Sequence, residues 1–304
     1  MSGFIDLQVN GYRGIDFNQD QLTEEDVVEA CRSLRADGVD QFLPTIITDD
    51  LRLMCRRIRR IADVATSNVE VAGMVAGIHV EGPFINPAPG FVGAHPTEHT
   101  RPPDVDGIQR LIEAGQGLVR MLTLAPELAG SEIAIRRLVE EGVVVAAGHS
   151  DASMEDLQRA IDAGLSMFTH LGNGCPGEMH RHDNIVQRVL AFGNRLTISF
   201  IADGHHVPFF ALGNYLRMLP SDRIVIVTDA ISAAGLGPGQ HRLADQTVEV
   251  DEDLAAWASG REHFAGCATT MPRMVELLRA RLGATDDDIR RWMVENPRRL
   301  LSGT

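Results

Sequence analysis

The chain has 304 residues, 44% of them apolar and 23% charged, the balance of a folded globular protein and not of a fibrous or disordered one. Its formal charge of −14, from 42 acidic against 28 basic side chains, excludes a broad electrostatic surface for nucleic acid or anionic membrane. The four cysteines, Cys31, Cys55, Cys175 and Cys267, lack the paired spacing of a zinc knuckle or a redox motif, and no stretch approaches the ~18 apolar residues of a membrane span.

In chain order, Met1 to Leu7 has no basic region leading into a long apolar stretch, so a cytoplasmic protein is expected. A strand-like run at 4–9 opens the pattern, and Thr23 caps a helical stretch at 24–36. Further strand-like runs fall at 41–47, 71–79, 118–124, 143–148, 166–170, 196–201 and 224–228, making eight. Amphipathic stretches at 51–64, 105–114, 132–141, 154–163, 185–192 and 208–217 separate most of them. Short apolar strands alternating with helices predict a parallel sheet covered on both faces. Beyond Asp229 the pattern weakens. Residues 235–247 start glycine-rich and read as a mobile loop, 248–259 are ambiguous, and 272–282 with 287–301 read as closing helices. With no internal repeat or linker, the expectation is a single domain over 1–304.

Polar residues decide how the sheet is arranged. His79-Val80-Glu81-Gly82-Pro83-Phe84, Gly148-His149-Ser150, Thr169-His170-Leu171 and Val227-Thr228-Asp229-Ala230 each stand where a strand-like run ends. Only a closed barrel brings so many strand ends round one centre, which predicts an α/β protein of the (β/α)₈ or TIM-barrel class. Glu81, His149 and His170 supply one carboxylate and two imidazoles, a set suited to one divalent ion with an open position for water. Zn²⁺ is the first expectation, and Fe²⁺, Co²⁺ and Mn²⁺ fit the same donors. Asp229 stands at the rim either as a carboxylate able to move protons or as a turn cap.

Gln8 and Asn10 are two apart on the first strand and share a side. As amides they are poor zinc ligands, so they hold a substrate, a water or a ligating side chain, or are satisfied by nearby backbone. His95, Arg181, His205 and His206 fall in loops after the third, sixth and seventh strands, where convergent cations would make an anion clamp in so acidic a chain. His180 and His182 read as solvated loop residues. Gly235-Leu236-Gly237-Pro238-Gly239 reads as a flexible turn and not a phosphate loop, because no Lys-Ser or Lys-Thr follows it.

Taken with Phe4-Ile5-Asp6-Leu7-Gln8-Val9-Asn10-Gly11, Gly93-Ala94-His95-Pro96 and Ile201-Ala202-Asp203-Gly204-His205-His206-Val207, the four patches resemble the N-acetylglucosamine-6-phosphate deacetylases of the amidohydrolase superfamily, in order and spacing from about Gly3 to Leu301. The resemblance implies one Zn²⁺ held by Glu81, His149 and His170, with Asp229 as general base and acid of amide hydrolysis. By the same resemblance His95 polarises or positions the acetyl carbonyl. Arg181 and His206 meet the sugar phosphate across a homodimer interface, and Asn173 lies near the substrate. The Gln8/Asn10 pair resembles the branch that keeps a single metal where other members carry a His-x-His pair and two.

Family members usually add a small β-sandwich from residues flanking the barrel. Here two residues precede Gly3 and the sequence stops at Thr304, so the sandwich is expected to be missing. Asn173-Gly174-Cys175-Pro176 and Arg181-His182-Asp183-Asn184 stand where the family has Asn-Ala-Met-Pro and Arg-Glu-Pro-Gly. The expected reaction is removal of the N-acetyl group from N-acetylglucosamine 6-phosphate. The altered loop keeps open the same chemistry on another N-acyl or cyclic amide, and the missing sandwich keeps open a non-catalytic sugar-phosphate binding protein.

Overall fold

Helix starts follow from local capping chemistry. The Thr23 side chain accepts from the Asp26 N–H while the Asp26 carboxylate accepts from the Thr23 N–H, and Glu24, Glu25 and Asp26 complement the positive end of the helix dipole. Ser153 with Asp156 and Thr285 with Asp288 repeat the device. The protein is seen in a computed structural model that describes residues 3–243, 246–258 and 264–303.

Strand β1 (Phe4–Val9) is followed by a small hairpin, β2 (Gly11–Tyr12) and β3 (Ile15–Asp16), then by α1 (Glu24–Ala36) and β4 (Val39–Ile47). Helices α2 (Leu51–Ser67) and α3 (Val69–Ala72) lead to β5 (Ile78–Glu81), and α4 (Val105–Ala114) leads to β6 (Val119–Leu124). Next come α5 (Ser131–Glu140), β7 (Val144–Ala147), α6 (Met154–Ala163) and β8 (Met167–Phe168). The alternation ends with α7 (Ile185–Ala191), β9 (Thr197–Ile201), α8 (Phe209–Met218) and β10 (Ile224–Val227).

The parallel sheet runs in the order β1-β4-β5-β6-β7-β8-β9-β10. It closes between its two ends through the Asp6 carboxylate, which accepts the Thr228 N–H at 3.2 Å and its hydroxyl at 2.5 Å, and through pairing of Val9 with Ala230. Every residue of β10 is buried, because one face meets the barrel interior and the other meets helices. The result is the (β/α)₈ barrel expected from the sequence.

Two stretches differ from expectation. The strand read at 71–79 begins only at Ile78, because Asn68 accepts from the N–H groups of Glu70 and Val71 and starts α3 instead. The loop read at 235–247 and the ambiguous stretch after it carry an antiparallel sheet in the order β11 (Gly239–Leu243), β12 (Gln246–Val250), β13 (Ala255–Trp257) and β14 (Phe264–Cys267). Residues 244, 245 and 259 of these stretches lie outside the described residues. Val248 and Val250 pack on a small apolar cluster with Ile231, Ala256 and Ala265, whereas Thr247 is exposed, the period-two signature of a half-buried strand. Strand β14 returns to the barrel, where the Ile231 N–H donates to the Cys267 carbonyl at 3.0 Å.

The chain continues through α9 (Met271–Leu282), α10 (Asp286–Arg290), a π-helical turn at Arg291–Glu295 and α11 (Asn296–Ser302), so the helix read at 287–301 is built in pieces. Buried Asn296 donates to the carbonyls of Ser221 and Ile224 at 2.9 and 2.6 Å, which fastens this segment to the amino-terminal end of β10. No helix among the described residues is long and apolar enough to cross a membrane.

Candidate active site

The four residues picked out by their position after apolar runs all lie at the carboxyl ends of barrel strands. Glu81 is the last residue of β5, and His149, His170 and Asp229 each stand two residues beyond β7, β8 and β10. Those three take left-handed backbone, with φ of 51°, 32° and 51°. Such conformations cost about 1–3 kcal/mol each in a residue with a Cβ. They turn the chain sharply at the rim, and both imidazoles meet the Glu81 carboxylate.

Glu81 Oε1 lies 2.8 Å from His170 Nε2, 3.4 Å from His149 Nε2 and 3.0 Å from the Gln8 amide nitrogen. His149 Nδ1 is 2.7 Å from the Phe91 carbonyl, which can only accept, so Nδ1 carries the proton and a neutral ring keeps its lone pair on Nε2. That lone pair faces a carboxylate oxygen with no proton between them, an arrangement that suits a cation. Asn10 Oδ1 and His170 Nδ1 are buried without a protein partner among the described residues. Two nitrogens and a carboxylate that meet in this way fit a divalent ion.

His95 is not an exposed member of an anion clamp. It is buried, 4.4 Å from His149 between ring centroids. Burial first, and the neighbouring His149 next, push its pKa down to about 3. The Thr48 N–H and hydroxyl lie 3.3 and 2.9 Å from Nδ1, so Nδ1 accepts and the proton of the neutral ring sits on Nε2. Asp229 is buried and its carboxyl is raised, by burial and then by the Glu81 charge, with Asn10 donating to Oδ1 at 2.8 Å. Gln8 places its amide between Glu81 and the Thr169 hydroxyl, 2.8 Å away, and therefore holds a candidate ligand.

The remaining sequence candidates are spread more widely. Asn173 follows His170 in a tight turn, its N–H on the His170 carbonyl at 2.8 Å. Arg181 is exposed in the same loop and makes no ion pair among the described residues, while His180 organises that turn by accepting the Asp183 N–H at 2.9 Å. His205 is tied to the antiparallel sheet through the Asp253 carbonyl at 2.9 Å, and His206 pairs with Asp203 at 2.6 Å.

Two supporting carboxylates had no role in the sequence reading. Asp203 is one, and Glu127, after β6, is the other. Glu127 accepts from Asn86, the Asp151 N–H and the Ser150 hydroxyl at 2.7–2.8 Å and so joins the loops on either side. Nothing local marks Glu127, whose partners come from other loops, whereas Asp203 is engaged by His205 and His206 of its own turn.

Acceptors facing one another at the mouth of a closed parallel barrel, beside a buried aspartate with a raised pKa, define the class: this is a metal-dependent amidohydrolase. No protein-family profile matches the chain. Among curated proteins it is 37% identical to N-acetylglucosamine-6-phosphate deacetylase of Bos taurus, over 90% of this chain and 67% of that protein. It is 32% identical to N-acetylgalactosamine-6-phosphate deacetylase of Escherichia coli O157:H7, over 98% and 77%. The chain thus spans about two thirds to three quarters of the length of these relatives. N-acetyl-D-glucosamine-6-phosphate deacetylase from Mycobacterium smegmatis, solved as an aspartate-to-alanine variant with N-acetyl-D-glucosamine 6-phosphate, superposes with a TM-score of 0.88 at 31% identity, over 99% of this chain and 77% of that one. The chain belongs to the N-acetylglucosamine-6-phosphate deacetylase family.

Proposed function

We propose that this protein hydrolyses the N-acetyl group of N-acetylglucosamine 6-phosphate to give acetate and glucosamine 6-phosphate. The observation that carries the reading is the proton-free face between His149 Nε2 and Glu81 beside Asp229, in a chain of this family. Glu81, His149 and His170 would hold one divalent ion, with Zn²⁺ best matched to two imidazoles and a carboxylate and Fe²⁺, Co²⁺ or Mn²⁺ compatible. When bound, such an ion polarises an amide carbonyl and lowers the pKa of water.

The chain's own residues supply the proton movements. His95, with its proton on Nε2, donates to the acetyl oxygen as that atom gains negative charge. Asp229 accepts a proton from the attacking water and delivers it to the sugar nitrogen as the C–N bond breaks, so one water is consumed and the free amine leaves with acetate. The Asn10 side-chain N–H donates to Asp229 Oδ1 and keeps that carboxylate oriented. His206 takes the sugar phosphate, exposed Arg181 reaches it from a second copy in a homodimer, and Asn173 lies near the substrate. A cytoplasmic location suits a phosphorylated substrate.

The Escherichia coli relative favours a second reading, in which the sugar is N-acetylgalactosamine 6-phosphate. Acetate release is measured from both phosphorylated sugars and from unphosphorylated N-acetylglucosamine, using metal-replete protein. Asp229→Asn is expected to lower kcat by about 10²-fold or more while remaining folded and metal-loaded. Near-normal turnover in that variant would remove Asp229 from the chemistry, and no release from any of the three would overturn the substrate.

A further inference from the structure

The loop after β9 carries a carboxylate whose lone pairs are nearly all engaged. Asp203 Oδ1 accepts the N–H groups of His205 and His206 at 2.9 and 3.0 Å, and Oδ2 accepts from His206 Nδ1 at 2.6 Å. The Cys267 thiol lies 3.7 Å from the same Oδ2. Gly204, with φ of 83°, closes the turn between them. The two side chains are 2% and 3% exposed, and Phe264 of β14 covers the His206 ring with centroids 5.2 Å apart. His206 therefore has one nitrogen fixed and one face covered, and Nε2 is its only nitrogen without a partner among the described residues.

Asp203, His206 and Cys267 also cluster as metal ligands would. With both backbone N–H groups on Oδ1 and His206 Nδ1 on Oδ2 at 2.6 Å, the Asp203 lone pairs are taken up by hydrogen bonds of its own turn, which assigns the cluster to hydrogen bonding. Burial pushes the Asp203 carboxyl up, while His206 and the two backbone N–H groups bring it below the ordinary carboxylate range. It stays an ionised acceptor, and protonating His206 then makes an ion pair instead of an isolated buried charge.

We propose that Asp203 is the positioning residue of the sugar-phosphate subsite: it fixes Nδ1 of His206 as a donor, presents Nε2 to the 6-phosphate, and supplies the counter-charge for a proton carried there. The inference rests on the substrate reading above. An asparagine at 203 keeps its shape but not its acceptors. With its oxygen on the two backbone N–H groups, its NH₂ faces Nδ1, which must then accept, so the ring is held neutral with its proton on Nε2.

The test is a cycle of Asp203→Asn, His206→Asn and the double variant, with kcat and KM measured on the phosphorylated and unphosphorylated sugars. Asp203→Asn is expected to raise KM for the phosphorylated sugar about tenfold with a much smaller change in kcat, and to reduce the preference for phosphate by a similar factor. The double variant should be no worse than His206→Asn alone. Equal losses on both sugars, or a double variant whose losses multiply, would overturn the proposal. Ring ¹⁵N shifts of His206 in the wild-type holoenzyme give a second answer that needs no variant: a protonated Nδ1 supports the assignment, and a neutral ring with its proton on Nε2 alone overturns it. If the wild type makes no distinction between the two sugars, the substrate reading fails. The ring shifts and the cycle on whichever sugar is turned over then decide Asp203's hold on His206.

Discussion

A Cβ at position 174 would stand 2.8 Å from Nδ1 of His149 and 3.0 Å from its Cε1, and position 174 has φ of 60°. Gly93 approaches the same ring from the loop after β5, where a Cβ would come within 3.2 Å. The two glycines form a slot that leaves His149 one orientation, with Nδ1 on Phe91 and Nε2 toward Glu81. Gly174→Ala is therefore expected to push the ring off the Phe91 carbonyl and to weaken metal affinity by roughly 10–100-fold, the usual effect of losing a ligand's outer hydrogen bond. Metal titration of the purified variant measures this directly, and unchanged affinity would show that the loops absorb the methyl. The sequence exposes Glu81, His149, His170 and Asp229 because each is a polar residue breaking an apolar run. It shows Gly174 only as a departure from Asn-Ala-Met-Pro, without its reason, because the atom that needs the space belongs to another loop. His95 illustrates the reverse case, since its place in the sequence suits an anion clamp while its burial makes it a neutral donor.

At the scale of elements, the seam between β1 and β10 depends on one buried acid. Burial raises Asp6 to about 7, against the lowering effect of its bonds to Thr228 and Gln8. The folded chain thus keeps a proton that the unfolded chain releases near 3.8, the ordinary value of an aspartate. Its contribution is fully present below about pH 4 and is lost as pH rises through about 7, a loss of a few kcal/mol at most. Asp6→Asn keeps an acceptor for the backbone N–H groups and offers an NH₂ to the Thr228 hydroxyl without ionising. Denaturant titrations across that window should show stability falling less steeply in the variant. Asp16 and Asp229 are raised too, so the slope shrinks without vanishing, and an unchanged slope would remove Asp6 as its source. The eight strands were legible because apolar runs alternate with capped helices. The antiparallel sheet was obscured by its glycine-rich approach, although Val248-Glu249-Val250 carries the alternation of a strand with one buried face.

The two ends of the described chain meet at the floor of the barrel, where the π-helical turn before Asn296 packs on both β1 and β10. Asn296→Ala leaves the carbonyls of buried Ile224 and half-buried Ser221 with fewer donors and is expected to cost about 1–3 kcal/mol, seen as a lower Tm, with kcat unchanged because the chemistry lies at the opposite rim. A fall in kcat at unchanged Tm would contradict that separation. The barrel itself could be read from the distribution of polar residues over several strand ends. Its closure through Asp6 and Asn296 could not, since both are single polar residues whose partners are more than 70 positions away. The left-handed backbone at His149, His170 and Asp229 sets a condition on engineering the molecule. Glycine or asparagine would rest more comfortably at all three positions. A library screened only for survival of heating would drift toward those residues, and its most heat-resistant members would be inert.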